Sequence, residues 1–112
     1  EVFIGGTYTL FDGTPFAGIR GQWAHAAVVV DETNNTAKLY VNGVQSGTTK
    51  TVTGQWASGG LAAPYNTLSI GKYGGQYFDG KIAWTSVNQG ALSAANIEEA
   101  YRVGKLNKVR DW

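Results

Sequence analysis

Cysteine and methionine are absent, histidine occurs once, and only two prolines stand among 112 residues. Without cysteine there is no disulfide framework and no thiolate-ligated zinc or iron–sulfur centre. A single imidazole, His25, excludes a multi-histidine metal site and leaves one histidine for acid–base work. Nine Lys and Arg against eight Asp and Glu leave a net charge of +1, with no block of like charge. Nucleic-acid binding by phosphate neutralisation needs a basic face, so that class is excluded. No apolar run approaches the ~20 residues of a membrane-spanning helix, and no signal-peptide pattern is present. Translation starts at methionine, so a chain opening on Glu1 is expected to be a processing product or an excerpt of a longer polypeptide.

What the chain does have is glycine and aromatic side chains. Sixteen glycines, about twice the usual share, point to many tight turns. At 11.9 kDa the chain is one domain with one core. Short β-prone runs recur between Gly, Asn and Asp at intervals of roughly 8–12 residues, the pattern of an antiparallel sandwich. Residues 7–11 alternate and stop at Asp12-Gly13. Ala26-Ala27-Val28-Val29-Val30 is apolar on both faces, as expected of a central strand covered from two sides. Residues 31–36 read as a loop. Lys38-Leu39-Tyr40-Val41 is the next strand, and Asn42-Gly43 follows at once, a strong signal for a type I′ hairpin turn. Thr48 to Thr53 is a polar strand with one solvated face.

Residues 54–66 form the longest irregular stretch, and a loop of that length in a small domain is more often functional than a short one. Strand character resumes at 67–70 and 76–87, with 71–75 as the turn between. One helix is expected near the end. Ser93 caps it, Ile97, Ala100 and Tyr101 share a face, Glu98 stands four residues before Arg102, Glu98 and Glu99 meet the positive end of the dipole, and Gly104 is the stop. Residues 1–104 are then the domain, and 105–112 a tail to which no structure is assigned.

These runs, in this order, resemble the later part of a laminin G-like domain of the concanavalin A-like lectin/glucanase superfamily. The matching pieces are Trp23-Ala24-His25-Ala26-Ala27-Val28 leading to Asp31, Lys38 to Gly43, Leu68-Ser69-Ile70-Gly71, Phe78-Asp79-Gly80-Lys81-Ile82, and Ala91-Leu92-Ser93 opening the helix with Ile97. They span roughly residues 20–103. The resemblance implies an all-β, antiparallel, jelly-roll sandwich with one short C-terminal helix. Members carry several strands before the Trp-x-His segment, whereas here only about 20 residues precede it, which implies a sandwich incomplete on its N-terminal side. Members also often carry an acidic pair after the Phe-Asp-Gly-x-Ile motif, where this chain has Ala83-Trp84.

Glycoside hydrolysis needs two carboxylates flanking the scissile bond. The eight acids here include two adjacent pairs, Asp31-Glu32 and Glu98-Glu99, which fall on a loop and a helix start, where solvation and capping explain them. No enzymatic activity is expected. No nucleophile motif accompanies His25, which reads as a hydrogen-bonded structural histidine. Asp79 reads as a turn carboxylate capping backbone N–H groups. No cofactor or metal is expected, and calcium, should it bind, has Asp12, Asp31 and Asn34 as its candidate donors. Asn34-Asn35-Thr36 matches the glycosylation sequon.

The aromatic residues carry the remaining signal. Trp23, Tyr8 and Phe78 read as strand residues of the core. Trp56, Tyr65, Asn66, Tyr73, Gln76 and Tyr77 lie in or beside Gly-rich loops, where flat rings and amides can meet sugar C–H faces and hydroxyls, or a protein surface. The sequence therefore points to a non-catalytic extracellular, cell-surface or virion module, in the manner of a lectin or adhesion domain. Its partner is a glycan or a surface protein. The alternative is a structural or assembly element, such as a decoration or fibre domain of a virion or surface layer, binding other subunits through exposed strand edges.

Overall fold

The structure, a computed structural model, describes residues 2–4, 7–9, 11, 15–52 and 69–110. Its organising feature is the Asn42-Gly43 turn. Both residues take left-handed backbone conformations, with φ of 52° and 83°. That is the type I′ geometry whose twist matches antiparallel strands. The turn joins β4 (Thr36–Val41) to β5 (Val44–Thr51), and β3 (Ala26–Asp31) lies on the other side of β4 in a sheet of order β3-β4-β5. The β3–β4 register runs without slip from Ala26↔Val41 to Asp31↔Thr36, whereas the β4–β5 register shifts between Ala37 and Leu39. Gly47 supplies a positive φ of 73° in β5 beside that shift. Two small hairpins complete the strand list. β1 (Val2–Ile4) pairs with β2 (Thr7–Thr9), and β6 (Lys72–Tyr73) pairs with β7 (Gln76–Tyr77). Helix α1 (Ala94–Arg110) closes the chain.

Directly opposed residues share a face, so the sheet divides cleanly. On one face Val29 and Tyr40 pack under Ile97 of α1, with Ala27 and Leu92 at the margin. On the other, Ala37 and Val52 are buried with Val30 and Phe11 against them. The antiparallel strands and the terminal helix agree with the sandwich expected from sequence.

Several local expectations do not survive. The β3 run, apolar on both faces, lies at the sheet edge. Among the described residues it pairs with β4 alone, and Val28 is 45% exposed. Its pattern reports which surfaces are meant to be covered, and this structure leaves the Ala26–Val28 end of one of them exposed. Trp23 and Phe78 belong to no strand and are 42% and 61% exposed, so they are not core residues. Residues 69–70 and 78–87 form no strand, because no described backbone runs alongside them to complete a ladder. The expected turn at 71–75 is itself the β6–β7 hairpin, tightened to Gly74-Gly75 and extended by a bond from Phe78 N–H to Gly71 O at 2.9 Å. Tyr8 falls within β2, with its side chain outside the described set, and β5 starts at Val44, four residues before the expected Thr48.

The helix differs at its far end. Ser93 does cap it. Its Oγ accepts from the Asn96 N–H at 3.2 Å, while Asn96 Oδ1 accepts from Ser93 Oγ at 2.6 Å and Ser93 N–H at 3.3 Å, a reciprocal capping box. Ile97 is buried and Ala100 and Tyr101 are half-buried on the same side, as expected. No acid occupies the first turn, however, and Arg102 pairs with Glu99 at 2.7 Å and not with Glu98. The helix also continues through Gly104 to Arg110, across the boundary drawn at 104. Gly104 is buried, and a Cβ there would come within 3.0 Å of the Trp84 indole. This glycine accommodates a ring and does not end the helix.

Candidate functional site

Of the six candidate binding residues, Trp56, Tyr65 and Asn66 lie outside the described residues. The other three share the β6–β7 hairpin. Tyr77 and Gln76 form β7, and Tyr73 is their neighbour on β6. Tyr77 is 73% exposed, and the Lys72 ammonium stands 5.6 Å from its ring centroid, opposite it in register. A cation at that distance is attracted by the ring's quadrupole and steadies the ring while leaving it in water. Gln76 is exposed beside it. The hairpin thus presents a ring and a cation on one face and, by strand alternation, the Gln76 amide on the other, and Lys72 is the member that sequence reading passed over.

A second feature was not assembled from the sequence. A cleft of about 1310 Å³ runs along β3, walled by Trp23, Val28, Ile82, Trp84 and Ala100 among others. Ile82 and Trp84 are 50% and 45% exposed. Each seats against a glycine. Ile82 Cδ1 lies 3.1 Å from where a Cβ of Gly71 would stand, and Trp84 covers Gly104. The departure at Ala83-Trp84 and the two-faced apolarity of β3 were the signals that pointed here.

His25 lines this cleft. Its ring lies 6.0 Å from both Trp84 and Tyr101, centroid to centroid. Asn42 grips its backbone on both sides, Oδ1 accepting the His25 N–H at 2.9 Å and Asn42 N–H donating to His25 O at 2.8 Å. The ring itself is held by packing. Nδ1 is buried and has no hydrogen-bond partner among the described residues, in contrast to the hydrogen-bonded imidazole expected from sequence. Desolvation lowers its pKa from the usual 6.5, so the neutral form is favoured.

Two calcium candidates meet, but in a turn of their own making. Asn34 donates its backbone N–H to Asp31 Oδ1 at 3.0 Å and its side-chain Nδ2 to Asp31 Oδ2 at 2.7 Å. These bonds, the side-chain one foremost, hold the Asp31 carboxyl below the usual carboxylate range. Asp12 lies outside the described residues. Among the described residues no three His, Cys, Asp or Glu side chains gather into a metal-binding group, and no helix is long and apolar enough to cross a membrane. Asn34, the sequon asparagine, is exposed.

An antiparallel sheet packed under a C-terminal helix, with one apolar flank open and aromatic residues at a hairpin tip, defines a β-sandwich of the lectin-like kind. The chain belongs to the concanavalin A-like lectin/glucanases superfamily, matching its Laminin_G_3 family over residues 3–98. It is also similar in structure to an S-layer domain-containing protein from Clostridium thermocellum ATCC 27405 (residues 221–444), with 24% identity and a TM-score of 0.55. That likeness covers 73% of this chain and 40% of the neighbour, so this chain spans less than half of the neighbour's length. No curated protein matches.

Proposed function

We propose that this chain is a non-catalytic recognition module of a cell or particle surface that binds a glycan or a surface protein through the β6–β7 hairpin. The observation that carries this reading is Tyr77, a largely exposed ring braced by Lys72. An exposed, steadied ring offers a flat apolar face at little entropic cost, and the ammonium supplies an orienting hydrogen bond. Binding of this kind needs no metal. The acids support a non-catalytic role. Glu99 is engaged by Arg102, Asp31 by Asn34, and the remaining described acids, Glu32, Asp79 and Glu98, are exposed on separate segments.

Membership in the superfamily supports a lectin or adhesion role in an extracellular setting. A second reading, an assembly element of a surface layer or virion, draws on the name of the S-layer neighbour and on the exposed apolar flank of β3. A glycan array, with surface plasmon resonance on the hits, tests the first reading. We expect Tyr77→Ala to weaken binding at least tenfold with an unchanged melting temperature. Binding that survives both Tyr77→Ala and Gln76→Ala moves the site elsewhere. An empty array together with concentration-dependent self-assembly favours the second reading.

A further inference from the structure

We propose that the Asn42-Gly43 peptide is a site of spontaneous deamidation and isoaspartate formation, which the folded molecule holds shut and which opens only when α1 lifts from the β4–β5 hairpin. Neither the Tyr77 ring nor the cleft beside β3 takes part.

The chemistry needs only the chain and water. The Gly43 amide nitrogen gives up its proton and bonds to the Asn42 carboxamide carbon Cγ, and the side-chain nitrogen leaves as ammonia, taking up a proton. A five-membered imide results. Water opens it at Cγ, breaking the new bond and leaving aspartate. Alternatively it opens at the Asn42 main-chain carbonyl carbon, breaking the old peptide bond and leaving isoaspartate, with the backbone routed through Cβ and Cγ. Nothing is oxidised or reduced. Asparagine is thermolabile, and a following glycine favours the reaction because it has no side chain to shield its nitrogen. Asn42 is the one asparagine in the chain followed by glycine.

The turn that makes the hairpin also keeps the two reactants apart. Ring closure requires the Gly43 nitrogen and the Asn42 Cβ to lie nearly eclipsed about the Cα–C bond. Asn42 has a φ of 52°. In that left-handed region ψ is about +30 to +60°, which sets the nitrogen nearly anti to Cβ. The carboxamide is tethered as well, since Oδ1 accepts the His25 N–H at 2.9 Å while the Asn42 N–H donates to His25 O at 2.8 Å. Turning ψ toward closure means swinging Gly43, and Gly43 is confined. A Cβ on it would stand 3.1 Å from Tyr101 Cδ1 and 3.3 Å from Glu98 Cα, so α1 lies directly against the turn. Val41 and Val44 are paired on either side of it, and Ile97 seats the helix on Val29 and Tyr40. Reaction therefore awaits an opening that takes the helix off the hairpin, and its rate follows the population of that opened state.

The two products have different fates. Aspartate keeps an oxygen that can accept the His25 N–H. Isoaspartate adds a backbone carbon to a two-residue loop, so Val44 no longer faces Val41 in the type I′ register. A chain that stays open long enough to form isoaspartate is barred from closing again.

The test follows aspartate and isoaspartate at residue 42 by peptide mass spectrometry, in the native protein and in urea, in one mildly alkaline buffer. We expect the native reaction to be at least about a hundredfold slower than in urea. Exposed Asn88, followed by Gln89, should change far less between the two. Ile97→Ala loosens the seat of the helix and should raise the native rate at least about tenfold, with the urea rate unchanged. Should that variant fail to fold, it is expected to react at the urea rate, as the same gating requires. On dilution from urea the isoaspartyl chain should stay unfolded by circular dichroism, whereas Asn42→Asp refolds. Equal rates at Asn42 in native and unfolded protein, or no isoaspartate even in urea, overturn the inference. So does a folded Ile97→Ala protein reacting like wild type, or an isoaspartyl chain that refolds with a wild-type melting temperature.

Discussion

Val28 and Val29 are adjacent, chemically identical, and live in opposite surroundings. Val29 is 9% exposed under Ile97, and Val28 is 45% exposed over the cleft. The contrast runs through the molecule. On one side of β3 are an unslipped ladder, a type I′ turn and a capped helix, each satisfying the next. On the other are a strand edge, a run that pairs with no described strand, and several half-exposed aromatic rings. Periodicity cannot distinguish the two valines, because a strand apolar on both faces reads the same whether or not its second cover is present. Only the neighbours tell them apart.

The largest effect that would break this contrast lies on the packed side. Ile97→Ala removes the residue joining α1 to Val29 and Tyr40 and should cost about 3–4 kcal/mol, read by chemical denaturation. The same experiment on the valines sharpens the comparison in residues 1–112. Val29→Ala should cost about 2 kcal/mol and Val28→Ala less than about 1 kcal/mol. Equal losses would mean that the cleft is already filled.

Gly43→Ala comes next. The turn needs a φ of 83°, and a Cβ would also stand 3.1 Å from Tyr101 Cδ1 and 3.3 Å from Glu98 Cα. Strain and crowding together should cost about 1–3 kcal/mol and loosen the helix from the hairpin, visible as faster amide exchange along α1.

A smaller effect belongs to His25. Its pKa is lowered in the fold, so the unfolded chain binds the proton more readily. Stability should therefore decline as pH falls through the usual value of 6.5 and level off below the folded-state pKa. His25→Phe keeps a ring between Trp84 and Tyr101 and should flatten that decline in denaturation measured from pH 8 to 5. The smallest effect is at the surface, where Glu99→Gln should cost no more than about 0.5 kcal/mol and less still in high salt.

How much was legible in advance depended on how local the cause was. The Asn42-Gly43 hairpin could be read because two adjacent residues must both take positive φ, and the Ser93 cap because a hydroxyl reaches the first turn by itself. Gly104 misled because a glycine that admits the Trp84 ring looks the same in sequence as one that ends a helix. Residues 78–87 misled because strand propensity is intrinsic whereas a strand requires a partner. In the candidate site Tyr77 and Gln76 were legible as residues of a Gly-flanked hairpin. Lys72 was not, since its place over the ring follows from the cross-strand register.

The amino-acid sequence by itself determined the class of fold, the turn at its centre and the helix cap, because each follows from dihedral preferences or hydrogen bonds within a few residues. It also excluded cysteine-based metal and disulfide chemistry outright. Which face of β3 is covered, which glycine meets a ring and where His25 rests were decided only in three dimensions. Burial and pairing are properties of distant segments brought together, and no short stretch of chain holds that information alone.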